Sequence, residues 1–121
     1  MTVRNLEPSF RPRSVALVGA SARQGSVGAV VLANVIAGGF RGAIYPVNPK
    51  YGELNGLRCY RRIADLPEAP DLAVIMTPPA TLPDLVAELA ARGCAGAVVI
   101  TAGVGTTDGL VNATIQAQVT G

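Results

Sequence analysis

Apolar residues gather into four short unbroken runs, at 15–18, 43–47, 72–76 and 97–100. A run without polar interruption suits a strand covered on both faces, as in a parallel sheet. Between the runs the apolar spacing becomes helical. Val27, Val30, Val31 and Val35 recur on one helical face, with Ser26 placed as N-cap and Gly38 and Gly39 ending the segment. After the third run, Leu82, Leu85, Val86, Leu89 and Ala90 form an i, i+3, i+4, i+7, i+8 stripe. Thr81 and Asp84 give its start signal, Pro83 fits the first turn, and Gly93 stops it. Residues 48–70 read as irregular, with a short strand near 57–60 and a half-turn of helix around 61–66. Residues 108–119 read as a helix with a thin apolar stripe. The order β-α-β-loop-β-α-β-α predicts an α/β domain, an open doubly wound parallel sheet of four to five strands with helices on both faces. A sheet of this kind usually adds a strand after its last helix, so the chain reads as part of a longer protein. The Arg- and Pro-rich head, residues 1–13, is expected to pack loosely before a single domain at 14–121.

Composition narrows the chemistry. The 121 residues are 50% hydrophobic and 15% charged, enough apolar material for one core and too little charge for disorder. Histidine is absent, which excludes Ser-His-Asp and Cys-His nucleophilic systems, His-ligated metal and a phosphohistidine within this chain. Cys59 and Cys94 form no C-x-x-C pair, so neither a structural metal nor a redox dithiol is expected, although a disulfide stays open. No signal-like or membrane-spanning run is legible, and the expectation is a cytoplasmic chain without membrane partners. Charge is unevenly placed: residues 1–62 hold nine basic residues against Glu7 and Glu53, a net +7, while 63–121 hold Arg92 against six acids, a net −5. A basic first half suggests an anionic ligand there, and no basic run interleaved with aromatics points to nucleic acid.

The stretch V-A-L-V-G-A-S-A-R-Q-G-S-V-G, residues 15–28, carries the most chemistry. A buried strand ends at Gly19, a small-residue loop follows, and a helix opens near Ser26. Glycines let backbone turn sharply and approach a ligand, and the helix start offers N–H groups and a positive dipole end that suit phosphate. Gly19 and Gly25 lie six apart, which departs from G-x-G-x-x-G and misses the phosphate-binding P-loop by one residue and its Lys. Ser21 is no nucleophile elbow, because no histidine exists to activate it. At the end of the second strand, an NAD-binding fold usually places an acid on the ribose hydroxyls. Here Asn48-Pro49-Lys50 follows, and a cation suits a ribose that bears a phosphate, either the 2′-phosphate of NADP or the 3′-phosphate of coenzyme A. The third and fourth strands run into Thr77-Pro78-Pro79 and Ile100-Thr101-Ala102, then Gly103-Val104-Gly105, at the strand ends where open α/β sheets bind ligands. A rigid Pro-Pro loop and a Gly-rich turn could flank a long neutral arm such as pantetheine.

These motifs, with G-G-F-R-G-A-I-Y-P-V-N-P-K-Y-G, D-L-A-V-I-M-T-P-P-A and A-V-V-I-T-A-G-V-G, resemble the CoA-binding domain of NDP-forming acyl-CoA synthetases. The resemblance covers about residues 9–105, in order and with matching gaps. It reaches ADP-forming acetyl-CoA synthetases, more distantly the alpha subunits of succinyl-CoA synthetase, and the N-terminal domains of bifunctional protein lysine acetyltransferases. It implies a Rossmann-like fold and a CoA or acyl-CoA ligand. In the succinyl branch a T-G-S-Q-G loop touches CoA with its first four residues, which by position implies Ser21, Ala22, Arg23 and Gln24, with Gly25 closing the loop. Lys50 is implied for the lysine after the second strand, and Ile100, Thr101 and Ala102 for an I-T-E segment. Ala102 departs from that pattern and has no side-chain acceptor. Gly19, Ser26, Thr77, Pro78 and Pro79 complete the candidate set, and no residue is assigned a catalytic or metal-binding role. The family's ligase reaction runs through a phosphohistidine in the next domain and a nucleotide-grasp domain beyond, so this chain alone is expected to bind and not to catalyse. Further synthetase domains or subunits are the implied partners, with self-association left open. The alternatives are an NADP-linked oxidoreductase module, disfavoured by the lack of an acid–base group near a nicotinamide position, and a sensing or assembly domain. Arg11, Arg13, Arg41, Arg58, Arg61 and Arg62 receive no role from the sequence.

Overall fold

In a computed structural model, residues 12–101 and 114–119 are described. The expected head at 1–13 falls almost wholly outside them. The elements are β1 (Ser14–Val18), α1 (Val27–Ala37), β2 (Ala43–Val47), β3 (Glu53–Leu54), β4 (Leu57–Arg58), β5 (Leu72–Ile75), α2 (Leu82–Arg92), β6 (Gly96–Thr101) and β7 (Thr114–Val119). They build one sheet in the order β2-β1-β5-β6-β7, with a separate β3-β4 hairpin. The first four strands of that order run parallel. This is the expected doubly wound, Rossmann-like sheet with helices on both faces. Its topological switch lies at β1, from which the chain moves outward to β2 and then crosses to β5.

Alternation along β1 assigns its two faces. Val15 and Leu17 pack with Leu32 of α1 and partly buried Val31 and Val35. Ala16 and Val18 pack with Leu89 of α2 and partly buried Leu82, Leu85 and Val86. Leu82, Leu85, Val86 and Leu89 of the expected α2 stripe thus face the core, as do Val31 and Val35 of the α1 stripe, while Val27 and Val30 belong to neither core cluster. Leu32, at 0% exposure, is the centre of the α1 face, although the valine spacing passed over it. Ala90, expected in the α2 stripe, is exposed. Cys59 belongs to the α1-side core and Cys94 to the α2-side core, so the sheet separates them and both are free thiols. Burial pushes both thiols above their ordinary value, the state of inert core cysteines.

Residues 48–70 carry more order than their sequence suggested. Asn55 and Gly56, at φ 51° and 82°, make the tight left-handed turn that an Asn-Gly pair favours between antiparallel strands. Tyr60 then lies beside β2: its N–H donates to Pro46 O at 2.9 Å and its carbonyl accepts from Asn48 N–H at 2.8 Å. The expected half-turn is a 3₁₀ turn at Ile63–Asp65. Arg92 of α2 ties it down by donating to the carbonyls of Ile63, Ala64 and Leu66.

The helix expected over residues 108–119 is corrected. Thr114–Val119 form β7, antiparallel to β6, while residues 102–113 lie outside those described. The segment T-I-Q-A-Q-V alternates apolar and polar residues with period two and carries three β-branched residues, which suits an edge strand better than a helix. Thr81 also differs from expectation. It sits in helical backbone at the end of a 3₁₀ turn, Pro79–Thr81, and its side chain makes no cap bond.

One contact fixes how α1 leaves β1. A Cβ placed on Gly28, in the first turn of α1, would lie 2.1 Å from the Gly19 carbonyl oxygen. Only glycine fits there. Gly28→Ala is expected to cost about 1–3 kcal/mol or more, as overpacking against immobile backbone does, whereas Gly52→Ala, with nothing within 4 Å of the added carbon, should stay within about 0.5 kcal/mol of the parent. Urea unfolding of the two variants checks this, and equal midpoints would refute it.

Candidate functional site

The carboxyl ends of β1, β2 and β5 meet at the switch point. Gly19 takes φ +98°, a conformation L side chains rarely adopt, and its N–H donates to Val47 O at 2.9 Å. Met76 N–H donates to Val18 O at 2.9 Å on the other side of β1. Strand pairing therefore continues to the very end of β1 before the chain turns into the loop.

The loop is held from within and from outside. Ser21 Oγ accepts the Arg23 N–H at 2.9 Å. Ser26 is the α1 N-cap, accepting from Ala29 N–H at 3.2 Å while its hydroxyl donates to Arg23 O at 2.7 Å. From the β2 side, Asn48 Nδ2 donates to Ala20 O at 2.9 Å, and Asn48 Oδ1 accepts the Lys50 N–H at 2.8 Å. Tyr51 reaches the same loop, its hydroxyl sharing a 3.3 Å hydrogen bond with Ser21 Oγ. That bond, a contact with the Ala22 backbone and the charges of Lys50 and Arg23 hold the Tyr51 phenol below its ordinary value. Asn48 and Tyr51 were not among the residues picked from sequence. The N-P-K-Y order around Lys50 was the available signal, but a contact to the loop beyond the neighbouring strand has no periodicity to reveal it.

Two concavities flank this loop. A cleft of about 540 Å³ opens on the α2 side, lined by Gly19, Asn48, Pro49, Thr77, Ala80 and Thr81 among others. A hollow of about 530 Å³ lies across Pro49 and includes Lys50, Tyr51, Arg58 and Arg61. Pro49 and Arg61 line both. Of the residues expected from sequence, Gly19 and Thr77 meet in the cleft, Ser21 and Ser26 organise the loop, and Lys50 stands in the hollow. Ala22, Arg23, Gln24 and Gly25 are exposed along the loop. Pro78 and Pro79 are exposed and rigidify the entry to α2, while Ala80 and Thr81 behind them face the cleft. Ile100 is half-buried in β6, Thr101 ends that strand, and Ala102 lies outside the described residues.

Electrostatics agree with a phosphate-directed crevice. Arg13 pairs with Asp71 at 3.8 Å and Arg62 with Asp65 at 3.6 Å. Among the described residues, Arg23, Lys50, Arg58 and Arg61 pair with no carboxylate and lie at this end of the sheet, whereas Arg41, also without a carboxylate, precedes β2 at the other end and Arg92 is bound to carbonyls. No group of three or more His, Cys, Asp or Glu side chains able to hold a metal occurs among the described residues. No described helix is long and apolar enough to cross a membrane.

Fold and crevice together define a Rossmann-like α/β domain with its ligand edge at the switch point. More particularly, residues 13–120 match the family described as CoA binding domain, and the chain belongs to that family. It is 45% identical over 92 residues to the ADP-forming acetate–CoA ligase of Methanocaldococcus jannaschii, a match covering 76% of this chain and 13% of that protein. It is 46% identical over 100 residues to a trans-feruloyl-CoA synthase from an unknown prokaryotic organism, covering 83% of this chain and 14% of the relative. Among solved structures, the dinucleotide-forming acetyl-coenzyme A synthetase 1 of Ca. Korarchaeum cryptofilum, in complex with phosphate and ADP, aligns with a TM-score of 0.73 at 38% identity. That alignment covers 82% of this chain and 22% of the synthetase. The chain thus spans under a quarter of the length of these relatives, and corresponds to their CoA-binding region.

Tyr51 and Tyr45 should titrate in separate ranges. Tyr45 donates to Glu68, which, with some burial, pushes its phenol up to about 12. Its folded value exceeds the unfolded 10.0, so the stability it contributes is complete below pH 10 and is lost as pH rises toward about 12. A spectrophotometric titration should find Tyr51 ionising before Tyr45, and Tyr51→Phe should delete the lower of these two steps. Loss of the higher step instead would contradict the assignment.

Proposed function

We propose that this chain binds coenzyme A or an acyl-CoA along the carboxyl edge of its sheet, as the CoA-holding domain of an ADP-forming acyl-CoA synthetase or a CoA-regulated acetyltransferase. The observation that carries this reading is the pairing of the Gly19–Ser26 loop with a cation, Lys50, where a dinucleotide fold would set an acid. The adenine enters the cleft between Asn48-Pro49 and Thr77–Thr81, whose walls are mainly apolar and backbone. The pyrophosphate lies over residues 21–25 at the start of α1, where N–H groups and the helix dipole favour negative charge. Lys50 and Arg23 add mobile positive charge. The pantetheine arm runs past Thr77-Pro78-Pro79 and the end of β6 at Ile100 and Thr101, carrying the thiol away from the domain.

No catalytic step is assigned to this chain. It has no histidine to carry a phosphoryl group, and the acid–thiol ligation named for the relatives requires activation of a carboxylate that this crevice has no group to perform. Its role is to present the thiol to a neighbouring domain or subunit of the larger enzyme. The acyl chain meets that neighbour, so acyl specificity belongs to the interface and not to this crevice.

Calorimetric titration of the chain with CoA, dephospho-CoA, NADP and NAD tests the reading. CoA should bind tightest and dephospho-CoA more weakly. Lys50→Ala should narrow that gap by about fivefold, the size of one exposed charge contact near 1 kcal/mol. A preference for NADP over CoA, or no heat with CoA at millimolar concentration, would overturn it.

A further inference from the structure

The hollow across Pro49 has no part in the reading above beyond Lys50, yet it is the more cationic of the two concavities that flank the loop. Lys50, Arg58 and Arg61 line it, and Asp65 is its one acid. Asp65 is already engaged by Arg62 at 3.6 Å. Glu53 stands opposite Arg58 in the hairpin register but does not line the hollow, and the two form no ion pair. Three like charges are therefore gathered around one space with no described counter-charge of their own.

The fold, not chance exposure, gathers them. Lys50 follows β2 directly, and the Asn48 side chain fixes its backbone. Arg58 ends β4, and its guanidinium is held 5.2 Å over the Tyr60 ring. Tyr60 is anchored beside β2 through Pro46 and Asn48, and its ring meets Tyr45 edge-on at 5.8 Å. Arg61 follows at once. The Asn55-Gly56 turn thus folds residues 58–61 back beside residue 50, and the 48–70 insertion has this convergence as its product.

We propose that this hollow is a subsite for a phosphate monoester carried on the ligand's ribose, with Arg58 and Arg61 completing a three-cation grip that Lys50 begins. The inference rests on the CoA reading for the identity of the ester, the 3′-phosphate. A ribose placed above Asn48-Pro49, with its adenine in the cleft on one side, turns its phosphate over Pro49 into the hollow on the other. Arg61, which lines both spaces, sits at the crossing. A monoester dianion suits several charge-assisted donors better than one, and an exposed site of this kind weakens as salt rises.

The experiment compares adenosine 3′,5′-bisphosphate, adenosine 2′,5′-bisphosphate and AMP, together with CoA and dephospho-CoA, on the parent chain, Arg58→Ala and Arg61→Ala. Both positions are exposed, and unchanged melting temperatures confirm that the variants fold. Each substitution should weaken CoA and the 3′,5′ isomer about 3- to 10-fold, leave AMP and dephospho-CoA within twofold, and flatten the salt dependence of CoA binding. Tight CoA binding that neither substitution weakens would overturn the subsite and leave the CoA reading standing. Equal losses for CoA and dephospho-CoA would also overturn it. Preference for the 2′,5′ isomer, lost in both variants, would keep the hollow as a phosphate subsite and overturn the CoA reading instead.

Discussion

The close approach of α1 to the end of β1 governs most of what surrounds it. With Gly28 against the Gly19 carbonyl, the first helical turn is seated on the strand end and not beside it. The loop between them is therefore short, and it must double back through Gly19 and Gly25, both at positive φ. The helix axis is then aimed at the crevice, so its dipole and first N–H groups act where the three parallel strands β2, β1 and β5 terminate. A side chain at Gly28 would push the helix off the strand end.

Around this seat the polar groups divide into those that hold protein and those that remain for a ligand. Asn48, Ser26 and Tyr51 spend their hydrogen bonds on the loop itself. Arg13, Arg62 and Arg92 are taken up by Asp71, Asp65 and the 3₁₀ carbonyls. Arg23, Lys50, Arg58 and Arg61 remain at the carboxyl end of the sheet, while Arg41 stands unpaired at the opposite end, just before β2. Much of the +7 balance of the first half of the chain that is left unpaired among the described residues thus collects at one end of the sheet. A crevice that draws its field from four side chains on separate segments can grip a ligand bearing several phosphates, where one lysine could only steer it.

How much was legible in the sequence follows the range of the interactions involved. The four parallel strands, both main helices and the α1 cap are local patterns, and residues 15–18 or 82–89 declare them within one or two turns of chain. Family resemblance added the expected ligand class and the loop positions proposed to hold it. What escaped depends on pairing at a distance. Gly28 looks like an ordinary helix residue until the Gly19 carbonyl is placed beneath it. Tyr51 and Asn48 act across some thirty residues. The arginines at 58 and 61 read as solvated surface because the hairpin that turns them toward Lys50 has only two residues per strand. Residues 114–119 form a strand because their clear period of two outweighs a thin helical stripe, and the partner that pairs with them, β6, lies well upstream, beyond the reach of a local pattern.

Tyr60 has one more consequence. β2 stands at the outer margin of the sheet, where an unpaired backbone invites another chain to add itself as a strand. Pro46 already removes one donor from that margin. The bridge from Tyr60 to Val47, with its bonds to Pro46 and Asn48, occupies the positions nearest the ligand end. The same short segment that carries cations toward the hollow therefore also acts as a hem on the sheet, protecting a highly apolar α/β core from edge-to-edge aggregation.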